Sequence, residues 1–221
     1  MAEAQRPSWK MGGITNPAVE EYLYRLIPER DPVLSEMEQI ASERRIPIVG
    51  PLVGRLLHQI AEMIGAKNVF EMGSAIGYST IWWARALSDG GRVIYTDGDR
   101  NNADQARRFF ERAGVPDRID VRVGDAMEIL SESKAEYDII FNDVDKEDYP
   151  RVFRVAVPRL RKGGLLISDN TLWHGDVADP EFDNDERTRA IREFNRLMYE
   201  SKDLLTTILP LRDGIAVARK Q

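Results

Sequence analysis

Residues 68–80 read Asn-Val-Phe-Glu-Met-Gly-Ser-Ala-Ile-Gly-Tyr-Ser-Thr, and this stretch decides the fold. Its apolar first half predicts a short buried strand, and the segment from Gly73 to Gly77 predicts a tight turn. A helix expected from Ser79 onward would offer free backbone N–H groups and a partial positive charge to an anion. The stretch therefore predicts the strand-turn-helix corner of a nucleotide-binding α/β protein.

The glycine turn differs from the dinucleotide-binding fingerprint Gly-x-Gly-x-x-Gly. Ala75 stands at its second glycine, and Gly77 arrives one residue early. Glu71 lies two residues before Gly73, where its charge would repel a phosphate. The turn therefore favours a cofactor that carries an amine and a carboxylate, such as S-adenosylmethionine.

The composition excludes several classes of protein. The chain has 221 residues, of which 43% are hydrophobic, enough for one sizeable core. It contains no cysteine, which excludes disulfides, thiolate zinc sites and a cysteine nucleophile. Its formal charge of -6 argues against a general nucleic-acid-binding protein, whose surface should be basic.

No linker-like segment divides the chain, so we expect a single domain over residues 1–221. We expect a flexible arm at residues 1–16, N-terminal helices at residues 17–65, and a cofactor-binding and catalytic core at residues 66–221. No run reaches the roughly 18 apolar residues of a membrane span, and the amino terminus lacks the apolar core of a signal peptide. We therefore expect a cytoplasmic protein that has no membrane partner.

Strands and helices alternate after the glycine turn. Further strands are predicted at residues 92–96 and 119–123, from Tyr137, and at residues 165–168. Helices of about a dozen residues are predicted at residues 101–113 and at about 149–160. Apolar runs at residues 204–211 and 215–218 flank Arg212-Asp213-Gly214, whose Asp-Gly pair is a hairpin signal. Together these segments predict a doubly wound, mostly parallel seven-stranded sheet with an antiparallel C-terminal hairpin. Extra helices are predicted before it, at residues 17–28, 32–44 and 52–64, with residues 46–51 as a break.

Polar residues follow three of the predicted strands. Asp97 ends the second strand, where a carboxylate can accept both ribose hydroxyls of an adenosine cofactor. Asp143 follows the fourth strand, and Asp169 and Asn170 follow the fifth. The carboxyl ends of parallel strands meet at one edge, and a set of oxygen ligands suits a hard cation such as Mg²⁺. A lone aspartate of this kind is more often a helix cap or a solvated strand end, so the prediction depends on the combination.

Three motifs resemble one known family. They are Glu71-Met-Gly73 with Gly77-Tyr78-Ser79, Asp143-Val-Asp145-Lys146 with Tyr149, and Asp169-Asn170-Thr171-Leu172-Trp173-x-Gly175. From roughly Tyr22 to Lys220 the chain is similar to the cation-dependent O-methyltransferases, which include catechol and caffeoyl-CoA O-methyltransferases, and it resembles their bacterial branch. The resemblance implies a Rossmann-like class I methyltransferase fold. It also implies S-adenosylmethionine as cofactor and a divalent cation, Mg²⁺ or another such as Mn²⁺ or Ca²⁺.

The resemblance further implies roles for individual residues. Asp143, Asp169 and Asn170 would bind the cation. Lys146 would be the catalytic base beside Asp143, and Trp173 would flank the acceptor. The implied cofactor contacts are Val49, Glu71, Gly73, Ser74, Ser79, Asp97, Ala126 and Asp143. Two residues depart from the family pattern. Gly98 stands where the family usually places a larger apolar residue beneath the adenine, and Asn142 replaces an apolar residue just before the aspartate that would bind the metal.

The proposed chemistry also follows from the residue types. A phenol with a neighbouring hydroxyl can chelate Mg²⁺ through both oxygens, which lowers the hydroxyl pKa and fixes the attacking oxygen. Lys146 would then take the proton, and we expect the cation and the sulfonium to depress its pKa. The alternative for Lys146 is an ordinary surface lysine near a helix start.

Three functions remain open from the sequence. The first is methylation of a small hydroxylated aromatic molecule with vicinal hydroxyls. The second is methylation of 5-hydroxyuridine in tRNA, where a local basic face at Arg44, Arg45, Arg107 and Arg108 would offset the acidic balance. The third is a nicotinamide oxidoreductase or a non-catalytic nucleotide-binding domain, which leaves the aspartates and Lys146 unexplained. We expect the protein to form a homodimer, as is usual for bacterial members of the family.

Overall fold

A computed structural model describes residues 14–221, so most of the arm predicted for residues 1–16 lies outside the described residues. Within that range the chain forms eight α-helices and seven strands. The helices are α1 (Pro17–Leu26), α2 (Pro32–Arg44), α3 (Gly50–Met63), α4 (Tyr78–Ala86), α5 (Arg100–Arg112), α6 (Ala126–Glu132), α7 (Tyr149–Ala156) and α8 (Glu186–Glu200). The strands are β1 (Asn68–Met72), β2 (Arg92–Asp97), β3 (Ile119–Val123), β4 (Tyr137–Asn142), β5 (Leu160–Ser168), β6 (Leu204–Leu209) and β7 (Ile215–Lys220).

The strands described between residues 14 and 221 form one seven-stranded sheet in the order β3-β2-β1-β4-β5-β7-β6. Strands β1 to β5 are parallel, and β7 is antiparallel to both β5 and β6. The predicted doubly wound sheet with a C-terminal hairpin is thus confirmed. The strand order reverses between β1 and β4, and the crevice at the carboxyl ends of those strands is where open parallel sheets bind ligands.

Hydrophobic side chains fill a core on each face of the sheet. Along β1, successive side chains alternate between the faces, so that Val69 belongs to one core and Phe70 to the other. On the first face Trp83 of α4 packs edge-on against Phe141, with ring centroids 5.6 Å apart. This two-sided burial explains why the central strands are mostly apolar and do not alternate regularly between apolar and polar residues.

The amino-terminal helices pack against the glycine turn and the helix that follows it. The hydroxyl of Tyr78, at the start of α4, donates a 2.8 Å hydrogen bond to Glu38 of α2. Arg30 also binds Glu38 through both oxygens, and Arg85 of α4 lies 2.7 Å from Asp31, which caps α2. The helices predicted as an extra layer therefore form part of the wall behind the glycine turn.

Helix α3 and strand β5 begin earlier than predicted, and one helix was not predicted. Helix α3 begins at Gly50 and not at residue 52, because Pro51 occupies the first turn, where its missing N–H has no partner to lose. Strand β5 begins at Leu160, five residues before the predicted 165. Helix α6 was not predicted, although Asp125 caps it by accepting from the backbone of Met127. Among residues 14–221, no helix is both long and apolar enough to cross a membrane.

Candidate active site

A cavity of about 840 Å³ opens at the carboxyl ends of β1, β2, β4 and β5. It is lined by residues 45–48, by the glycine turn, and by the segments that follow β2, β3, β4 and β5. Seven of the predicted site residues line it: Gly73, Asp97, Ala126, Asp143, Lys146, Asn170 and Trp173. The other five lie just behind this surface and are buried: Val49, Glu71, Ser74, Ser79 and Asp169.

The glycine turn is shaped by close backbone contacts. Gly73 has a φ of +78°, and a Cβ there would lie 2.5 Å from the carbonyl oxygen of Asp143. Gly77 has a φ of +83°, and a Cβ there would lie 2.5 Å from the ring of Phe110. These contacts explain why glycine is needed at both positions, while Ala75 adopts a positive φ of 44° without glycine.

Glu71 is a buried carboxylate beside this turn. Its side chain is fully buried at the end of β1, and one oxygen accepts a hydrogen bond from the hydroxyl of Thr80. Its other oxygen, Oε1, has no hydrogen-bond partner among residues 14–221. Burial raises the pKa of Glu71 to about 7. A buried acceptor without a partner is uncommon in folded proteins, so Oε1 is available to a donor group of a ligand.

Asp97 supports the turn as well as lining the cavity. One carboxylate oxygen accepts a 2.8 Å hydrogen bond from the backbone of Ala75. The other accepts from the backbone of Asp99 at 2.8 Å and from the side chain of Asn102 at 3.1 Å. A Cβ at the neighbouring Gly98 would meet no atom within 4 Å, so there is open space beside Asp97.

Lys146 and Asp143 form a pair at the end of β4, next to the glycine turn. The Nζ atom of Lys146 donates to Asp143 Oδ1 and to the carbonyl oxygen of Val144, both at 3.1 Å, and lies 5.0 Å from the centre of the Tyr149 ring. Burial raises the pKa of Asp143 to about 6, against the opposing charge of Lys146. Burial alone would lower the pKa of Lys146, but its neighbours, Asp143 among them, raise it above its usual range.

The third group of polar residues includes two that the sequence interpretation missed. Asp169 is fully buried, and its carboxylate forms an ion pair with the guanidinium of Arg212. Asp213 accepts hydrogen bonds from the side chain of Asn170 at 3.2 Å and from the backbone of His174 at 2.5 Å. The hairpin signal places Arg212 and Asp213 only in a turn. Two adjacent charged residues between apolar runs are nevertheless a sequence feature that could have marked them as functional residues.

The backbone holds these groups at one edge of the sheet. The N–H of Asp143 donates to the carbonyl oxygen of Met72 at 2.9 Å, and the N–H of Asp169 donates to Asn142 at 3.1 Å. The Asn142 side chain, which departs from the family pattern, donates to Ser168 of β5 at 3.4 Å. The site therefore combines, in one cavity, a buried acceptor next to a glycine turn with a lysine, two carboxylates and an amide.

Comparison with known proteins identifies the family. The model of the O-methyltransferase family matches residues 28–221 of this chain. The chain belongs to this O-methyltransferase family. The predicted enzyme class, an O-methyltransferase, is thereby confirmed.

Curated relatives and solved structures agree with this assignment. A catechol O-methyltransferase of Niastella koreensis is 33% identical over 91% of this chain and 96% of its own length. Caffeoyl-CoA O-methyltransferase 1 of Eucalyptus globulus is 33% identical over 76% of this chain and 72% of its own length. The crystal structure of a Bacillus cereus O-methyltransferase in complex with SAH superposes with a TM-score of 0.83 at 35% identity, covering 92% of this chain and 97% of that one.

Proposed function

We propose that the methyltransferase transfers the methyl group of S-adenosylmethionine to one hydroxyl of a small aromatic molecule with vicinal hydroxyls, with Lys146 as general base. The observation that carries the proposal is that the glycine turn and the Lys146–Asp143 pair line the same cavity of about 840 Å³. The relatives named for catechol and caffeoyl-CoA support this acceptor class.

The cofactor fits the donors and acceptors of the turn. S-adenosylmethionine, when bound, supplies an electrophilic methyl group on a sulfonium. In the proposed mode Glu71 Oε1, which has no partner among the described residues, accepts from the amino group of the cofactor. Asp97 would bind the ribose, and Val49, Ser74, Ser79 and Ala126 would complete the cofactor site. The open space at Gly98 leaves room for the adenine edge.

Lys146 must lose its proton before it can act as a base. The protein by itself raises the pKa of Lys146, so the lysine is protonated at neutral pH before ligands bind. Added positive charge near Nζ disfavours the ammonium form. The depressed pKa expected for Lys146 thus stays a prediction about the loaded enzyme, in which Asp143 orients the amine toward the acceptor hydroxyl.

The oxygen atoms at the ends of β4 and β5 are of the kind that bind a divalent cation such as Mg²⁺, Mn²⁺ or Ca²⁺. Asp143, Asp169 and Asn170 would hold it, and Asp213 orients Asn170 by accepting from its amide nitrogen, which leaves the amide oxygen as the donor to a cation. A bound cation supplies Lewis acidity that lowers the pKa of a chelated hydroxyl. The protein's own contribution is to orient these oxygens and to present Lys146 next to them.

Two other predictions remain proposals. Methylation of 5-hydroxyuridine in tRNA is favoured by one observation, the exposed Arg45 at the cavity wall, where a phosphate can bind. The homodimer is consistent with the exposed apolar residues Val19, Tyr22 and Leu26 on α1, and light scattering after gel filtration measures it. Membership in an O-methyltransferase family argues against the third hypothesis, an oxidoreductase or a non-catalytic domain.

A panel assay with labelled S-adenosylmethionine tests the proposed function. Catechol and caffeoyl-CoA are compared with phenol, which has one hydroxyl, and with unmodified bulk tRNA and tRNA that carries 5-hydroxyuridine. We expect label in the vicinal diols and not in phenol. Labelling of the modified tRNA alone would replace the small-molecule acceptor with the tRNA alternative, and no labelling of any hydroxylated acceptor would overturn the proposal.

A further inference from the structure

Arg212 is a buried cation in the turn between β6 and β7. Its side chain is 5% exposed, and that of its partner Asp169 is fully buried. Its φ of +53° lies in the left-handed region that disfavours a residue with a long side chain. Its Nε atom has no hydrogen-bond partner in the part of the chain that the structure describes. The turn therefore holds a charged side chain in an unfavourable conformation, with one donor unused.

The ion pair engages a carboxylate that the proposed cation site requires. Asp169 Oδ1 accepts a 2.7 Å hydrogen bond from the backbone N–H of Asn170, and Asp169 Oδ2 faces the guanidinium of Arg212. Arg212 also lines the cavity, next to Asp143 and Asn170. Before any cation binds, both oxygens of Asp169 thus already have partners within the protein.

We propose that Arg212 competes with the divalent cation for Asp169 and so sets a low affinity for that cation. This inference depends on the cation site of the proposed function. A cation bound by Asp143, Asp169 and Asn170 would stand close to a guanidinium of like charge, and like charges repel strongly where water is excluded. Cation binding must therefore weaken the Arg212–Asp169 pair. The carboxylates whose charges act on the guanidinium are Asp169, Asp143 and Asp213, and of these only Asp213 would not hold the cation.

The test compares two arginine-to-methionine variants, each of which unpairs a mostly buried carboxylate. In Arg212→Met the unpaired group is Asp169. In the control, Arg161→Met, it is Asp138, whose side chain is 12% exposed and lies at the start of β4, at the opposite end of the sheet. Asp138 also accepts two backbone N–H groups, from Lys67 at 2.8 Å and from Asn68 at 2.7 Å. Mn²⁺ is titrated by calorimetry, and thermal melting is recorded with and without Mn²⁺.

We expect Arg212→Met to bind Mn²⁺ about tenfold more tightly than the wild type, or better, because the competing charge is gone. Without Mn²⁺ both variants should melt below the wild type, since each leaves a buried carboxylate unpaired. Mn²⁺ should raise the melting temperatures of the wild type and of Arg161→Met by the same small amount, because both keep the same cation site, and should raise that of Arg212→Met by more. A merely structural role for Arg212 predicts no such difference.

Two further outcomes keep the inference falsifiable. Arg212→Lys retains the charge, so its affinity for Mn²⁺ should stay near that of the wild type, and an increase equal to that of Arg212→Met would overturn the inference. Folded Arg212→Met with wild-type or weaker Mn²⁺ affinity would also overturn it. If that variant fails to fold even with Mn²⁺, the absence of cation rescue counts against the inference in the same way. Wild-type protein that responds to Mn²⁺ as expected but methylates no acceptor would overturn the proposed function alone.

Discussion

The Nζ atom of Lys146 lies 3.1 Å from Asp143 Oδ1, and both side chains face the cavity at the end of β4. The pair joins the proposed base to a proposed cation ligand, three residues earlier in the chain. It also balances one buried charge against another, which keeps Lys146 charged until ligands add positive charge nearby.

Replacement of Lys146 should separate a base from a structural lysine. We expect Lys146→Met to lower the turnover number by roughly 10²- to 10⁴-fold, the usual range for a general base. Cofactor affinity should hardly change, and turnover should partly recover as the pH rises, because hydroxide can accept the proton. The control is Lys162→Met, at an exposed position of β5. Wild-type turnover of Lys146→Met across the pH range would exclude Lys146 from the mechanism.

Asp97 should act on binding and not on the chemical step. Its carboxylate holds Ala75 of the glycine turn and lies in the cavity, so Asp97→Asn should raise the dissociation constant of the cofactor by roughly tenfold or more. The turnover number at saturating cofactor should stay close to the wild-type value. Asp99→Asn is the matched control, because Asp99 caps α5 and does not line the cavity. Equal effects of the two substitutions on affinity would contradict the assignment.

The titration of Glu71 should link pH both to stability and to cofactor binding. Burial raises its pKa from 4.5 to about 7, so the folded protein holds this proton more tightly than the unfolded chain. The stability of the cofactor-free protein should therefore fall as the pH rises between about 4.5 and about 7, and Glu71→Gln should remove that dependence. Cofactor affinity should increase over the upper part of this range, since the ionised carboxylate binds an ammonium best. Chemical unfolding and calorimetry against pH measure the two effects, and parallel curves for both proteins would disprove the link.

Gly73→Ala should be costly for reasons beyond its backbone conformation. Gly73 has a φ of +78° and Gly90 a φ of +74°, so alanine is strained at both positions, by about 1–2 kcal/mol. A Cβ at Gly73 would also lie 2.5 Å from a backbone oxygen of Asp143, whereas one at Gly90 would meet nothing within 4 Å. We expect Gly73→Ala to lose roughly 1–3 kcal/mol more stability than Gly90→Ala, and to lose cofactor affinity as well. Equal melting temperatures for the two variants would contradict the close contact.

Removal of the cation should stop methyl transfer. Excess chelator should abolish turnover and leave cofactor binding intact, and addition of Mg²⁺, Mn²⁺ or Ca²⁺ should show which ion restores activity. Full turnover in chelator would end the cation hypothesis. Substitution of Asp169 is a poorer test of the cation than chelation, because it leaves Arg212 buried without its partner, at a cost of roughly 3–5 kcal/mol in stability.

The sequence predicted the parts of the site that depend on short-range pattern. The glycine turn comes directly after a buried strand, and Asp97 ends the next one. Their positions at the carboxyl edge of the sheet could therefore be inferred from the predicted strand ends alone. Asp143, Asp169 and Asn170 were found in the same way, because parallel strands bring their carboxyl ends together.

The contacts of Arg212 and Asp213 could not be predicted by that reasoning. Arg212 reaches Asp169 across 43 positions of sequence, and it does so because β7 lies between β5 and β6. A hairpin signal indicates that two strands pair, but it does not indicate which earlier strand the second one joins. Helix α3 was misjudged for a local reason, since a proline that breaks a helix in its interior is favourable in its first turn.

The close approach of Gly73 to the carbonyl oxygen of Asp143 means that the cofactor turn and the base-bearing loop meet backbone to backbone. In the proposed mechanism the spacing between the cofactor and the loop that carries the base is then set in part by contact between main-chain atoms, which most side-chain replacements leave in place. Residues at the mouth of the cavity, such as Arg45, Trp173 and Arg187, are free of that constraint. In a lineage of such enzymes the choice of acceptor can therefore diverge quickly at the mouth while the trajectory of the transferred methyl group stays fixed.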